Sequence, residues 1–149
     1  MTASLPEFFA SALPAISEEG RALLCRSVEP LSFTAGQQIF NRGESARGLY
    51  FLLFGRIGIR KETGFEDKTQ VIALLDHGAP FGERGLLDGM THGAGAVAVV
   101  DSTVALLPLA DYVAFTEKMP ADGRILLEWV LLQVSRRLEM ASERLAHIL

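Results

Sequence analysis

Between Val28 and Pro108 apolar and polar residues alternate in short runs, each closed by Gly, Asn, Asp or Pro, and this predicts a succession of short strands. The runs are Glu29–Phe33, Gln38–Asn41, Gly48–Phe54, Arg56–Lys61, Gln70–Leu75, Gly95–Val100 and Thr103–Pro108, with a polar hairpin tip over Thr63–Lys68. On either side the apolar spacing lengthens to that of helices. Pro6–Leu13 reads as a short helical turn, and Ser17 as the N-cap of a helix through Arg21, Leu23, Leu24 and Cys25. A further helix starts at Asp111 and runs to about Lys118. Met119-Pro120 breaks it, and a long helix beginning at Ala121 or Asp122 runs to the end. Within that helix Leu127, Leu131, Val134 and Leu138, continued by Ala141, Leu145 and Ile148, alternate spacings of 4 and 3. Ile125, Trp129 and Leu132 lie on a neighbouring face. Two apolar faces predict that one covers the strands while the heptad seam meets the same helix of a second subunit, as a homodimer.

Composition narrows the class. A chain of 149 residues with 49% hydrophobic content is one domain with enough material for a core. Its net charge of −4 argues against a general nucleic-acid-binding role. The one cysteine, Cys25, permits no intrachain disulfide and reads as a buried structural thiol. No basic leader followed by an apolar core opens the chain, and no apolar run approaches about 18 residues, so a cytoplasmic protein is expected, with no membrane partner. His77, His92 and His147 fall in no metal-ligand or catalytic-triad spacing. No enzyme, catalytic residue, metal or resident cofactor is therefore expected.

The candidate chemistry lies between Phe81 and Asp101. Pro80-Phe81-Gly82-Glu83 follows the apolar run Val71–Leu75 and precedes a short helical turn, Arg84–Asp88. That order gathers backbone N–H groups at a helix start, a common way to hold an anion, and glycines let the backbone approach it closely. Glu83 offers a carboxylate to neighbouring hydroxyls. Met90–Gly95 is glycine-rich and reads as a mobile loop, with His92 facing either solvent or the anion. Arg136, Arg137 and Arg144 read as a solvated flank of the long helix, with a place at the open end of a ligand pocket as the alternative.

Residues 34–60 carry a resemblance that extends over about 17–149. Gly36, Ile39-Phe40, Gly43-Glu44, Gly48-Leu49-Tyr50-Phe51 and Gly55, followed by Ile57 and Ile59, resemble the front of the cyclic nucleotide-binding domain family. Gly82-Glu83, Leu86-Leu87-Asp88-Gly89 and the strand from Ala94 to Asp101 then fall where that family carries its phosphate-binding cassette. The resemblance implies an α+β, mainly β fold: a double-stranded, jelly-roll-like β-roll with short N-terminal helices and a long C-terminal helix. It divides a single domain into residues 1–28, 29–108 with the cassette at 80–101, and 109–149. It also implies that Glu83 meets a ribose 2′-hydroxyl and that an arginine pairs with the cyclic phosphate. Here that arginine's place falls on His92, followed by Gly93 and Ala94, while Arg84 stands where the family usually has an apolar residue. An arginine grips phosphate with two donors and a permanent charge; a histidine at neutral pH offers one donor and little charge.

Two functions fit these residues. One is a non-enzymatic sensor that takes cAMP, cGMP or a related small anion at Phe81, Gly82, Glu83, Arg84, His92, Gly93 and Ala94, and signals through its last helix. The other is a relative without ligand that serves as a dimerisation or docking scaffold. The chain stops at the end of the long helix, where regulators of this kind continue into a DNA-reading domain, so output is expected through dimer geometry or a separate protein partner.

Overall fold

The structure is a computed structural model and describes residues 4–64 and 68–148. The tip of the hairpin expected over Thr63–Lys68 falls mostly outside the described residues; Thr63 and Lys68 themselves close it, with Thr63 N–H donating to the Lys68 carbonyl at 2.8 Å.

Two helices come first, α1 (Leu5–Ala12) and α2 (Glu18–Ser27). Each is opened by a serine: the Ser4 hydroxyl accepts from Glu7 N–H and the Ser17 hydroxyl from Gly20 N–H, satisfying donors that a helix start leaves free. Eight strands follow, β1 (Glu29–Phe33), β2 (Gln38–Phe40), β3 (Gly48–Phe54), β4 (Arg56–Glu62), β5 (Thr69–Asp76), β6 (Pro80–Phe81), β7 (Gly95–Ala98) and β8 (Ser102–Pro108). Between β6 and β7 lies one turn of 3₁₀ helix, Glu83–Leu86. Helices α3 (Leu109–Lys118) and α4 (Pro120–Ile148) complete the chain.

The strands form two antiparallel four-stranded sheets, ordered β1-β8-β3-β6 and β2-β7-β4-β5. The inner strands of the first, β3 and β8, are buried on both faces while β1 at the edge is largely exposed, which explains why β3 is an unbroken apolar run rather than an alternating one. Tyr50 and Leu52 of β3 face the second sheet and pack with Phe40, Ile57 and Leu106. Leu49 and Phe51 point the other way, into a core that the helices supply with Phe9, Leu24, Phe115 and Leu126. Phe51 is enclosed by edge-on contacts with Phe8 and Phe9 and by the Trp129 ring stacked 6.0 Å away. This is the mainly β roll with flanking helices that the family resemblance implies, built from the strands that the alternation predicts.

The expected element borders move by a few residues. Strand β7 ends at Ala98, because Val99 and Val100 leave the sheet and are exposed. The turn after Gly82 is shorter than expected, four residues of 3₁₀ helix. Helix α4 starts at Pro120, a favoured first position because proline lacks the N–H that would stay unpaired there. Asp122 in its first turn is buried and reaches back to α2, accepting from both the N–H and the hydroxyl of Ser17. Cys25 is only partly buried, against the helical core, and desolvation pushes its thiol up.

The heptad seam divides in the folded chain. Val134 packs on the helical core, whereas Leu127, Leu131, Leu138, Leu145 and Ile148 are exposed. Beyond Asp122 and Gly123 in its first turn, the residues of α4 buried against the domain are Leu126 and Val130, with Ile125 and Trp129 beside them; Leu132 is exposed.

Candidate functional site

A cavity of about 730 Å³ opens between the inner face of β4–β5, the segment Phe81–Arg84, the segment His92–Ala94 and the second half of α4. Every residue expected to touch a ligand, from Phe81 to Ala94, lines it. Segments separated in sequence by about a dozen residues meet here because β6 pairs with β3 while β7 pairs with β2 and β4.

Gly82 makes the bend. Its φ of +66° and ψ of 29° are left-handed, a conformation that side chains other than glycine rarely adopt. A Cβ there would also come within 2.9 Å of the Tyr50 ring and 3.4 Å of the His92 ring. The bend turns Glu83 and Arg84 towards the cavity. A single 3₁₀ turn has too few aligned peptides to build a helix dipole, so the positive charge at this end is carried by side chains rather than by a helix start.

The Met90–Gly95 segment is tied down, contrary to the mobile loop its glycines suggest. Gly43 N–H donates to the His92 carbonyl, His92 N–H to the Glu44 carbonyl, and Ala46 N–H to the Met90 carbonyl, each at 2.9 Å. These bonds turn His92 inward. Its imidazole is 4% exposed and lies flat on Phe40, with ring centroids 3.6 Å apart and planes 7° apart. Desolvation pushes the histidine below its ordinary pKa; the carboxylates of Glu44 and Glu83 oppose that and Arg84 adds to it. At neutral pH the ring is therefore uncharged: a flat wall rather than a cation.

Arg84 places a permanently charged guanidinium on the same cavity. Although exposed, its side chain crosses the cassette, and a Cβ on Gly93 would lie 2.7 Å from Arg84 Nη1. Gly93 thus leaves open the space that the guanidinium uses. Among the described residues Arg84 has no hydrogen-bonded or ion-paired partner, so its donors remain available.

Helix α4 supplies the opposite wall through Val134, Leu138 and Ala141, and with them a residue that the sequence reading placed on a solvated flank. Arg137 is partly buried and donates from Nη2 to the Pro80 carbonyl. Burial pushes its guanidinium down while the Glu83 carboxylate holds it up, so the two side chains sense each other across the cavity. Arg144 also lines the cavity and donates to the Ile72 carbonyl of β5 at 3.4 Å. Nothing in the helical spacing distinguishes the half-buried Arg137 from exposed arginines; only the position of α4 against β6 does, while Arg144 lines the cavity and stays exposed.

Among the described residues there is no group of three or more His, Cys, Asp or Glu side chains placed to hold a metal, and no helix is long and apolar enough to cross a membrane. His77 sits in the turn after β5 and His147 on the exposed end of α4, both away from the cavity.

Comparison with known proteins agrees with this geometry. The chain is 35% identical over 89 residues to the cyclic AMP receptor protein of Thermus thermophilus, a match covering 59% of this chain and 40% of that protein. The chain thus spans well under half of that relative's length. Among solved structures, a cyclic nucleotide-binding domain from Methylobacillus flagellatus superposes with a TM-score of 0.87 at 23% identity, over 97% of this chain and 84% of that one. The Thermus thermophilus catabolite activator protein gives 0.74 at 26% identity, over 92% of this chain and 62% of its own. The cyclic nucleotide-binding domain model matches residues 30–136, which take in both sheets, the whole cassette and α4 as far as Arg136. With its roll, its glycine bend at 82 and its long closing helix, the chain belongs to the cyclic nucleotide-binding domain family.

Proposed function

We propose that this domain is a non-enzymatic sensor that binds a cyclic nucleotide in the cavity and reports occupancy through α4. The observation that carries the reading is the Arg84 guanidinium lying over Gly93, free of partners, beside the Glu83 carboxylate. Arg84 takes the phosphate with its charge and paired donors. Glu83 accepts from a ribose hydroxyl, and Phe40 with His92 forms an apolar, aromatic wall alongside. Ligand in the cavity also meets Arg137, Val134, Leu138 and Ala141, which belong to α4. Occupancy therefore contacts α4 differently from the empty cavity, which is what a shift between two helix positions requires.

The exposed leucines of α4 extend the reading to the output. Leu127, Leu131, Leu138 and Leu145 form an apolar stripe that leaves the domain's own core uncovered by them, suited to the same stripe of a second copy. A homodimer joined along α4 would transmit a helix shift directly to whatever it holds.

Calorimetric titration with cAMP and with cGMP tests the proposal, using Glu83→Ala and Arg84→Gln as variants. Saturable binding at micromolar ligand, weakened at least tenfold by either substitution, is expected. No heat at millimolar ligand would leave the fold as a dimerisation or docking scaffold and overturn the sensor reading.

A further inference from the structure

The cavity holds more positive charge than one cyclic phosphate needs, and that charge sits in two places. Among the described residues, Lys61, Arg84, Arg137 and Arg144 line it, with Glu83 as the only carboxylate. Arg84, Glu83 and Arg137, the last held by its bond to the Pro80 carbonyl, mark the cassette end. Lys61 and Arg144 mark the other. Lys61 follows Ile59 by two residues on β4 and lines the cavity from an exposed position near the end of the strand. Arg144 is held over the β5 side of the same end by its bond to the Ile72 carbonyl. Arg137 and Arg144 are seven residues apart on one face of α4, which separates their backbone positions by about 10 Å. Between the two ends the walls are apolar, formed by Ile59, Ala73 and Leu75 of the roll and by Val134, Leu138 and Ala141 of α4.

Two cationic ends joined by an apolar band match a ligand with two anionic groups joined by flat, weakly polar rings. We infer that the cavity is built for a nucleotide bearing two separate phosphates, of which a cyclic dinucleotide is the compact form and a nucleoside bisphosphate the open one. This rests on the reading of the cavity as a nucleotide site and assigns the ligand class within it. Arg84 takes the first phosphate. Lys61 and Arg144 take the second, and the apolar band accommodates the base or bases. Because Lys61 and Arg144 come from opposite walls, the second phosphate would bridge the roll to α4.

The test is a set of titrations at one fixed ionic strength with cAMP, cyclic di-AMP, cyclic di-GMP and adenosine 3′,5′-bisphosphate. They are made on the wild type and on Lys61→Gln/Arg144→Gln, with circular dichroism and melting confirming that the variant folds. At least one two-phosphate ligand is expected to bind ten or more times tighter than cAMP, and in the double variant that ratio should fall towards one. Preference for a cyclic dinucleotide over the bisphosphate selects the ring form, and the reverse selects the open one. Equal affinities for cAMP and every two-phosphate ligand would overturn the inference and leave the nucleotide site standing. A preference that survives the double substitution would overturn the assignment of the second phosphate to Lys61 and Arg144. Binding of none of the four would remove the nucleotide reading together with the inference.

Discussion

In Gly93→Ala the new methyl group would lie 2.7 Å from Arg84 Nη1 and 3.6 Å from its Cζ. Both atoms belong to the far end of a flexible, exposed side chain, so the guanidinium moves aside and the backbone need not. Gly93 is not among the glycines with positive φ, so alanine fits its conformation. At such a position Gly→Ala stabilises by about 0.4–1 kcal/mol through the loss of freedom in the unfolded chain. The affinity change has the opposite sign. Moving Arg84 off the cassette removes one charge-assisted contact, worth about 1.5–3 kcal/mol, or roughly ten- to a hundredfold in Kd. Thermal melting should therefore show Tm unchanged or raised by a few degrees, while calorimetry shows the cyclic nucleotide bound at least tenfold more weakly. Gly82→Ala is the contrast: with φ of +66° and the Tyr50 ring 2.9 Å from the new Cβ, it should lose stability and binding together. A Gly93→Ala protein that binds as the wild type does would refute the placement of Arg84 on the anion. A Tm several degrees lower would refute the argument that only the guanidinium has to yield.

Protonation of His92 is disfavoured by its burial on Phe40, so the unfolded chain binds that proton more readily than the native one. The stability that follows is fully present above the ordinary histidine value of about 6.5 and is lost as pH falls from there towards the lower native pKa. Urea denaturation between mildly alkaline and mildly acidic pH should show that loss, reduced in His92→Phe, and an equal loss in both proteins would exclude His92 as its source. Asp122→Ala removes the acceptor of two Ser17 donors in a buried place and should cost about 1–3 kcal/mol. Ser17→Ala also removes the α2 cap, and because the pair acts together the double variant should cost less than the two single changes added, as measured in a urea double-mutant cycle. Leu131→Glu puts a charge in the exposed stripe of α4 without touching the cavity, so light scattering should report a dimeric wild type and a monomeric variant that still binds ligand. A wild type that is already monomeric would remove the stripe as an interface.

Much of this architecture is a local matter. Short apolar or alternating runs with a turn residue at each end are enough to find the seven longer strands, since a strand's inward face has to be apolar whatever it meets and β3 is apolar on both. Ser17 announces α2 for an equally local reason: its hydroxyl satisfies an N–H three residues away. Gly82-Glu83 is visible as a turn because only glycine takes that backbone conformation easily. The family pattern then identifies the turn as the cassette, and all seven expected ligand residues line one cavity.

What remained hidden depends on where distant segments meet. An arginine with a long apolar stem looks the same in sequence whether its head reaches water or a cavity, and only α4 lying along β6 decides that Arg137 is half-buried at the Pro80 carbonyl while Arg144 lines the cavity and stays exposed. His92 reads as a loop histidine until the bonds between residues 43–46 and 90–92 turn it onto Phe40 and take its charge away. The Arg84 guanidinium likewise lies over the Gly93 backbone, nine residues further along the chain, by a meeting that only the fold brings about. Sequence determined the strands, the caps and the bend, because each is a short-range requirement on backbone and burial. Tertiary structure alone decided which charges survive inside the cavity, because desolvation and Coulomb forces act through space and take no account of position along the chain.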